Sequence, residues 1–163
     1  MKKRIWLLLL IVLASILLTG CALQTVDEMY ALPKRSKEYD SLQSAIDSAM
    51  YGLSYSAPVS GENQQTVQMA DLDGDGVEEY IVFAQGNSAN PLQVLIFRQE
   101  EDGTCRLMEV IQSNGSAFEQ VEYVQMDNAP GYELVVGRQL SDQVLRSVSV
   151  YSFSSGSAEQ LMM

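Results

Sequence analysis

The sequence predicts a mostly β fold, two antiparallel four-stranded units preceded by one short α-helix. Three observations predict it. From Gln64 onward, Thr66–Met69, Tyr80–Phe83, Leu92–Phe97 and Cys105–Ile111 are short runs rich in β-branched and apolar residues. Clusters of Gly, Pro, Asn and Asp separate these runs at short intervals. A second round with the same order of elements starts at Phe118.

The first 21 residues stand apart from that pattern. Lys2, Lys3 and Arg4 precede an apolar run from Ile5 to Leu18, and Leu18-Thr19-Gly20-Cys21 closes it. A basic start, a short apolar core and small residues before a cleavage point describe an export signal. The run is shorter than the roughly 20 residues that span a bilayer. Leu18-Thr19-Gly20-Cys21 resembles the lipobox of bacterial lipoproteins, and all four positions match. The resemblance implies that residues 1–20 are a signal peptide and that Cys21 receives a diacylglycerol thioether. It also implies that the new amino terminus is open to acylation. The expected location is the outer face of a bacterial membrane, with the membrane itself as a partner through Cys21.

Removal of residues 1–20 leaves seven basic residues against 21 acidic ones, a net charge of −14. Nucleic acid is excluded as a partner, because phosphate binding needs clustered Lys and Arg. Adhesion to anionic headgroups is disfavoured for the same reason. Such a surface suits cations or simple solubility. With Cys21 lipidated, Cys105 is the only remaining thiol, so no intramolecular disulfide is expected. It sits in a strand-like stretch and reads as a buried, inert thiol. The chain has no His, which removes Ser-His-Asp and Cys-His catalysis and the commonest zinc ligand.

Residues 21–35 read as a lipidated tether, in which Leu32-Pro33 discourages a helix. Residues 36–63 read as a helix followed by a loop. Ser36 is a suitable cap, and Leu42, Ile46, Ala49 and Met50 recur on one helical face. Gly52 is placed to end the helix. Tyr51 to Asn63, with Ser, Gly and Pro58, is the expected loop. Strand signals fill 64–163. Leu92 to Phe97 is nearly continuous in apolar residues, as in a strand buried on both faces. Asn114-Gly115 marks a tight turn between two units, about 64–115 and 117–163. In the second unit Val121–Met126, Leu134–Val136 and Val144–Phe153 are the expected strands, with Pro130-Gly131 and Ser141-Asp142 as turns. Val67-Gln68-Met69-Ala70-Asp71 aligns with Val124-Gln125-Met126-Asp127 at an offset of about 57 residues, in the range of propeller-type repeats. Two unrelated hairpin pairs in one β-sandwich are the other arrangement this pattern allows.

The segment that carries chemistry is Asp71-Leu72-Asp73-Gly74-Asp75-Gly76-Val77-Glu78-Glu79. Carboxylates of Asp71, Asp73 and Asp75, at positions 1, 3 and 5 of a tight loop, can converge on one hard cation. Gly76 permits the sharp turn. The Val77 carbonyl and the Glu79 carboxylate complete an oxygen cage suited to Ca²⁺. Without a cation the carboxylates repel one another, so loop order is expected to depend on metal. An EF-hand is excluded, because its position 12 is Val82 here and the flanks are strands.

This pattern resembles the FG-GAP or VCBS-type β-propeller repeat, Asp-x-Asp-x-Asp-Gly-x-x-Asp, set between two strands. Asp71, Asp73, Asp75 and Gly76 match, and Glu79 stands at the last acidic position in place of Asp. The resemblance implies propeller-like blades, together an incomplete β-propeller, and Ca²⁺ bound between the first two strands of a blade. It covers 64–98 well and 117–153 poorly. The second copy, Asp127 to Leu134, lacks the central aspartate and is expected to hold no metal. Met69 to Gly74 also bears a superficial resemblance to the Asp-x-Asp-Gly-Thr start of haloacid-dehalogenase-like phosphatases. Asp75 replaces the Thr, and the alternating strand–helix order of that fold is missing.

The expectation is therefore a lipid-anchored envelope protein with a structural Ca²⁺ loop, a binding or scaffold module for an envelope polysaccharide or protein and not an enzyme. No nucleophile–base pair stands out. The alternative is an accessory or truncated fragment of a larger extracytoplasmic hydrolase or phosphatase. The end at Gln160-Leu161-Met162-Met163, inside an expected strand, points to truncation.

Overall fold

A computed structural model describes residues 36–140, 145–154 and 156–162, together with Trp6. The export signal, Cys21, the tether, the Ser141-Asp142 turn and Val144 lie outside the described residues. Among the described residues no helix is long and apolar enough to cross a membrane.

Helix α1 runs Lys37–Ala49. Ser36 has extended backbone angles, and its side chain accepts a hydrogen bond from the Tyr39 amide at 3.2 Å, as the cap requires. Glu38 and Asp40 place negative charge in the first turn, where the helix dipole favours it. The Met50 amide donates to the Ile46 carbonyl at 2.8 Å, and Gly52 follows with a φ of 75°. Ile46 is buried, and Leu42, Ala45, Ala49 and Met50 pack around it against a sheet.

That first sheet contains β1 (Ser54–Tyr55), β2 (Val67–Ala70), β3 (Glu79–Gln85), β4 (Leu92–Gln99) and β5 (Cys105–Ser113). All pairings are antiparallel, in the order β1-β3-β4-β5, with β2 beside β1 on the same edge of β3. The expected loop from Tyr51 to Asn63 thus contains a two-residue strand, which pairs with Ala84 and Gln85. The rest of this segment closes an edge of the second sheet. The amides of Val59 and Ser60 donate to the carbonyls of Phe118 and Glu119 at 3.1 and 2.8 Å, and the Asn63 side chain donates to the Val121 carbonyl at 3.1 Å. Backbone donors thereby meet carbonyls that an edge strand would leave open.

The second sheet is a meander of β6 (Ala117–Val124), β7 (Glu133–Gln139), β8 (Arg146–Ser154) and β9 (Ser157–Met162). From residue 36 onward the described residues are therefore mostly β, with one helix and two antiparallel sheets. Strand β4 is covered on both faces, as its apolar run predicts. Leu92, Val94 and Ile96 enter the core shared with the second sheet, while Leu95 and Phe97 face the helix. Cys105 is half-buried beside the helix-facing cluster, and burial raises its thiol pKa.

The ladders show how the two sheets repeat. Ala70 pairs with Glu79 and Val124 with Glu133; Tyr80 pairs with Phe97 and Leu134 with Tyr151. Each member of the second pair lies 54 positions after its counterpart (79 and 133, 97 and 151). A β-bulge falls between Ile96 and Phe97 and again between Val150 and Tyr151, at the same offset. The structural repeat is thus 54 residues, not the 57 suggested by Val-Gln-Met. That tripeptide match pairs residues that occupy different ladder positions. A one-residue error in register turns every side chain to the wrong face, so the ladder outweighs the sequence match.

The sheets stack head to tail. Ile81, Phe83, Val94 and Ile96 of the first sheet pack on Val121, Leu134, Val136 and Tyr151 of the second. The counterparts of the latter set are Val67, Tyr80, Val82 and Phe97, the side of the first sheet turned to the helix. The outer side of the second sheet, equivalent to the wholly buried Ile81 and Val94, carries Val135 and Val148, and Val148 is 52% exposed. Arg138, 3% exposed, fastens the linker between the sheets. It donates to the backbone and side-chain oxygens of Asn114 at 3.2 and 3.0 Å, and to Ser147 and Ser149.

Candidate cation site and its degenerate repeat

The acidic loop joins β2 to β3. Two glycines make its turn: Gly74 has a φ of 75° and Gly76 a φ of 88°, in the left-handed region that a Cβ penalises. Gly76 faces open space. Gly74 does not, because a Cβ there would lie 2.3 Å from the Pro130 carbonyl carbon of the second loop. The two loops therefore lie against each other, and the Tyr132 amide donates to the Asp71 carbonyl at 3.1 Å.

Asp71, Asp73 and Glu79 are brought together, with one carboxylate oxygen of each within 4.8 Å of the others. Asp71 accepts from the amides of Gly74 and Gly76 at 2.7 and 3.0 Å. Asp75 lies on the exposed limb, where it accepts from the Val77 amide at 2.8 Å, and the Val77 side chain is exposed. Gly76 provides the turn as expected. Glu79 is the first residue of β3 and is fully buried. Its Oε2 accepts from the Leu72 amide at 3.0 Å.

Sequence reasoning missed Arg98. This residue stands opposite Glu79, one step beyond the Tyr80–Phe97 pair. Its Nε and Nη2 donate to Glu79 Oε1 at 3.0 and 2.8 Å, and Nη2 also contacts Asp73 Oδ2. The loop thus has a cation from its own chain. The signal was present: the turn from Gly86 to Pro91 is the hairpin's centre, and reflection about it pairs Glu79 with Arg98. Burial pushes the Glu79 carboxyl above its ordinary value. The Leu72 amide and Arg98 oppose that rise, and the Asp73 charge adds to it. Burial acts against the Arg98 charge too, but its hydrogen bonds to Asp73 and Glu79 prevail and hold its pKa up.

The second loop keeps half of this arrangement. The Met126 amide donates to Glu133 Oε2 at 2.8 Å, repeating the bond from Leu72 to Glu79 at the same 54-residue offset. The Ala129 amide donates to Asp127 Oδ1 at 2.6 Å, as Asp75 does to Asp73. Asp127 is therefore the counterpart of Asp73, not of Asp71. The losses are Asp71 (now Gln125), Gly74 (now Asn128), Asp75 (now Ala129) and Gly76 (now Pro130), and the loop is no shorter. The counterpart of Arg98 is Ser152. Of the tyrosines in this unit, Tyr151 is buried, and Tyr123 is buried enough to raise its pKa while its hydroxyl donates to Gln68 at 2.7 Å. Tyr132 instead lies half-exposed in the second loop.

As a donor set, three carboxylates with converging oxygens fit a hard dication. Arg98 is the competitor for two of them. Compared with protein-family models, characterised proteins and solved structures, the chain matches none.

Proposed function

We propose that this chain is a lipid-anchored envelope protein, held by Cys21 to the outer face of a bacterial membrane. It acts as a binding or scaffold module, with an acidic loop that takes Ca²⁺ for structural support. The observation that carries the reading is the convergence of Asp71, Asp73 and Glu79 to within 4.8 Å in the loop between β2 and β3. Calcium favours six to eight oxygens in flexible geometry. Asp71 takes no hydrogen bond from Arg98, so its carboxylate is the natural first ligand, and a dication then draws Asp73 away from the guanidinium. Asp75 and the Val77 carbonyl, on the exposed limb outside that trio, would complete the shell once the limb closes on the ion.

The head-to-tail stacking of two sheets with the same ladder and the same bulge supports a propeller-like blade repeat. The partner is an envelope polysaccharide or protein approached by the loop end of the sheets. The net charge of −14 after signal removal supports a role away from nucleic acid and anionic lipid.

The test follows thermal unfolding of the full-length protein in detergent during a calcium titration. A ligand that binds only the folded form raises the midpoint, by about 2.7 kcal/mol of stability at a hundredfold excess over Kd. The parent is expected to rise and an Asp73→Ala, Asp75→Ala variant to stay flat. No shift at millimolar calcium would overturn the metal loop. Anchoring is tested separately: a Cys21→Ser protein that still partitions with membranes into detergent would remove that part of the reading.

A further inference from the structure

The second loop holds a buried carboxylate that has lost its cation. Glu133 is 5% exposed, yet only one of its oxygens is engaged, by the Met126 amide. Among the described residues nothing donates to Oε1. In the first sheet the equivalent oxygen of Glu79 receives two bonds from Arg98. Ser152 stands where Arg98 would, one step beyond the Leu134–Tyr151 pair, and its side chain is far too short to replace a guanidinium. Glu133 Oε1 is not shut away from solvent, so it is open to a ligand that enters from outside.

The space left by that shortened side chain is a cleft of about 370 Å³, within the range of about 300–1,000 Å³ that small ligands occupy. Glu133 and Ser152 line it, with Asp73 and Ser154 adding oxygens and Tyr132 an aromatic face. Every charged group in that lining is negative. Such a lining suits a flat cation that donates several hydrogen bonds and stacks on a ring.

We infer that this cleft receives a guanidinium group from a ligand, seated against Glu133 as Arg98 is seated against Glu79. The ligand supplies what Ser152 no longer does. The Glu133 contact does not rest on the calcium reading, but Asp73 and Asp75 line both the cleft and the first loop, so the site is tested in calcium-free buffer. A small molecule and an arginine side chain of a peptide both carry the required group.

The test titrates N-acetyl-arginine amide into ¹⁵N-labelled full-length protein in micelles, with the Gly131 and Tyr132 amides as reporters. Saturable shifts are expected, at least about tenfold weaker for the neutral citrulline counterpart, a difference of one decade in Kd. Glu133→Gln should weaken binding by a similar factor. Ser152→Arg should abolish it by filling the cleft from within, and this variant keeps the test decisive if Glu133→Gln does not fold. An Ala-Arg-Ala peptide that binds more tightly than the free amide assigns a peptide source, and equal binding assigns a small molecule; both support a guanidinium site. Equal binding of citrulline or undiminished binding by Ser152→Arg would each overturn it.

Discussion

The Glu79 and Glu133 corners start from one design and end differently. Each places a Glu at the first residue of the second strand, and each bonds Oε2 to a backbone amide seven residues earlier. At Glu79 a cross-strand arginine and Asp73 finish the arrangement. At Glu133 a serine stands across the strand and a cleft opens. One position, 98 against 152, separates a closed ion-pair corner from an open acidic one. The difference teaches that the buried carboxylate belongs to the repeat, whereas its counter-cation is a local choice.

The largest effect should come from breaking the closed corner. Arg98→Ala leaves Glu79 fully buried with only the Leu72 amide as partner. Removing one member of a buried pair costs about 3–5 kcal/mol, and the partial exposure of Arg98 lowers the expectation to about 2–4 kcal/mol. Ser152→Ala, at the equivalent open position, should change stability by less than about 0.5 kcal/mol. Urea unfolding of the two variants measures the contrast. Equal losses would mean that Arg98 carries no special burden.

The second contrast concerns cover. The first sheet has the helix on one side and the second sheet on the other, whereas among the described residues no element is packed on the outer side of the second sheet, where Val148 is exposed. Ile46→Ala should cost about 2–3 kcal/mol, since Ile46 is the buried centre of the helix stripe. Val148→Ala on that outer side should fall within about 0.5 kcal/mol. A large loss at Val148 would show that this side is covered in solution.

Much of this was legible in the sequence because its signals are local. The Ser36 cap and the stripe of Leu42, Ile46, Ala49 and Met50 define the helix without reference to anything distant. The double-sided burial of β4 could be read from its continuous apolar run. The glycine turn at Gly76 followed from its spacing. What escaped depends on register across strands. Arg98 is 19 residues from Glu79 and has no motif of its own. The edge contacts of Val59 and Ser60 join segments 59 residues apart, and no periodicity marks them. The repeat offset was misjudged by three because a chance Val-Gln-Met match is more visible than a ladder. The need for glycine at position 74 comes from Pro130 in the other loop, which no local spacing marks.

The third contrast lies in the metal response. If calcium draws Asp73 from Arg98, Arg98→Met should sharpen the calcium response, because the competing cation is gone. The midpoint rise at saturating calcium is expected to exceed that of the parent, by about 1 kcal/mol if one charge-assisted hydrogen bond has been competing. A response equal to the parent's would show that Arg98 and the dication do not contend for the same oxygens.

The finest contrast is in pH. Burial raises the Glu79 pKa above its unfolded value, so between those two values the folded chain binds more protons than the unfolded one. Its contribution is fully present below the unfolded value near 4.5 and is lost as pH rises through the folded one. The stability of the parent minus that of Glu79→Gln should therefore fall as pH rises from about 4 towards neutrality, while the other carboxylates largely cancel in the difference. Arg98 holds the shift down, so the same difference taken in an Arg98→Ala background should fall over a wider pH window. A difference that rises with pH would mean that the pair with Arg98 outweighs desolvation. The Glu79 corner would then be a net source of stability at neutral pH, and the missing arginine at position 152 a greater loss to the second sheet than its open cleft suggests.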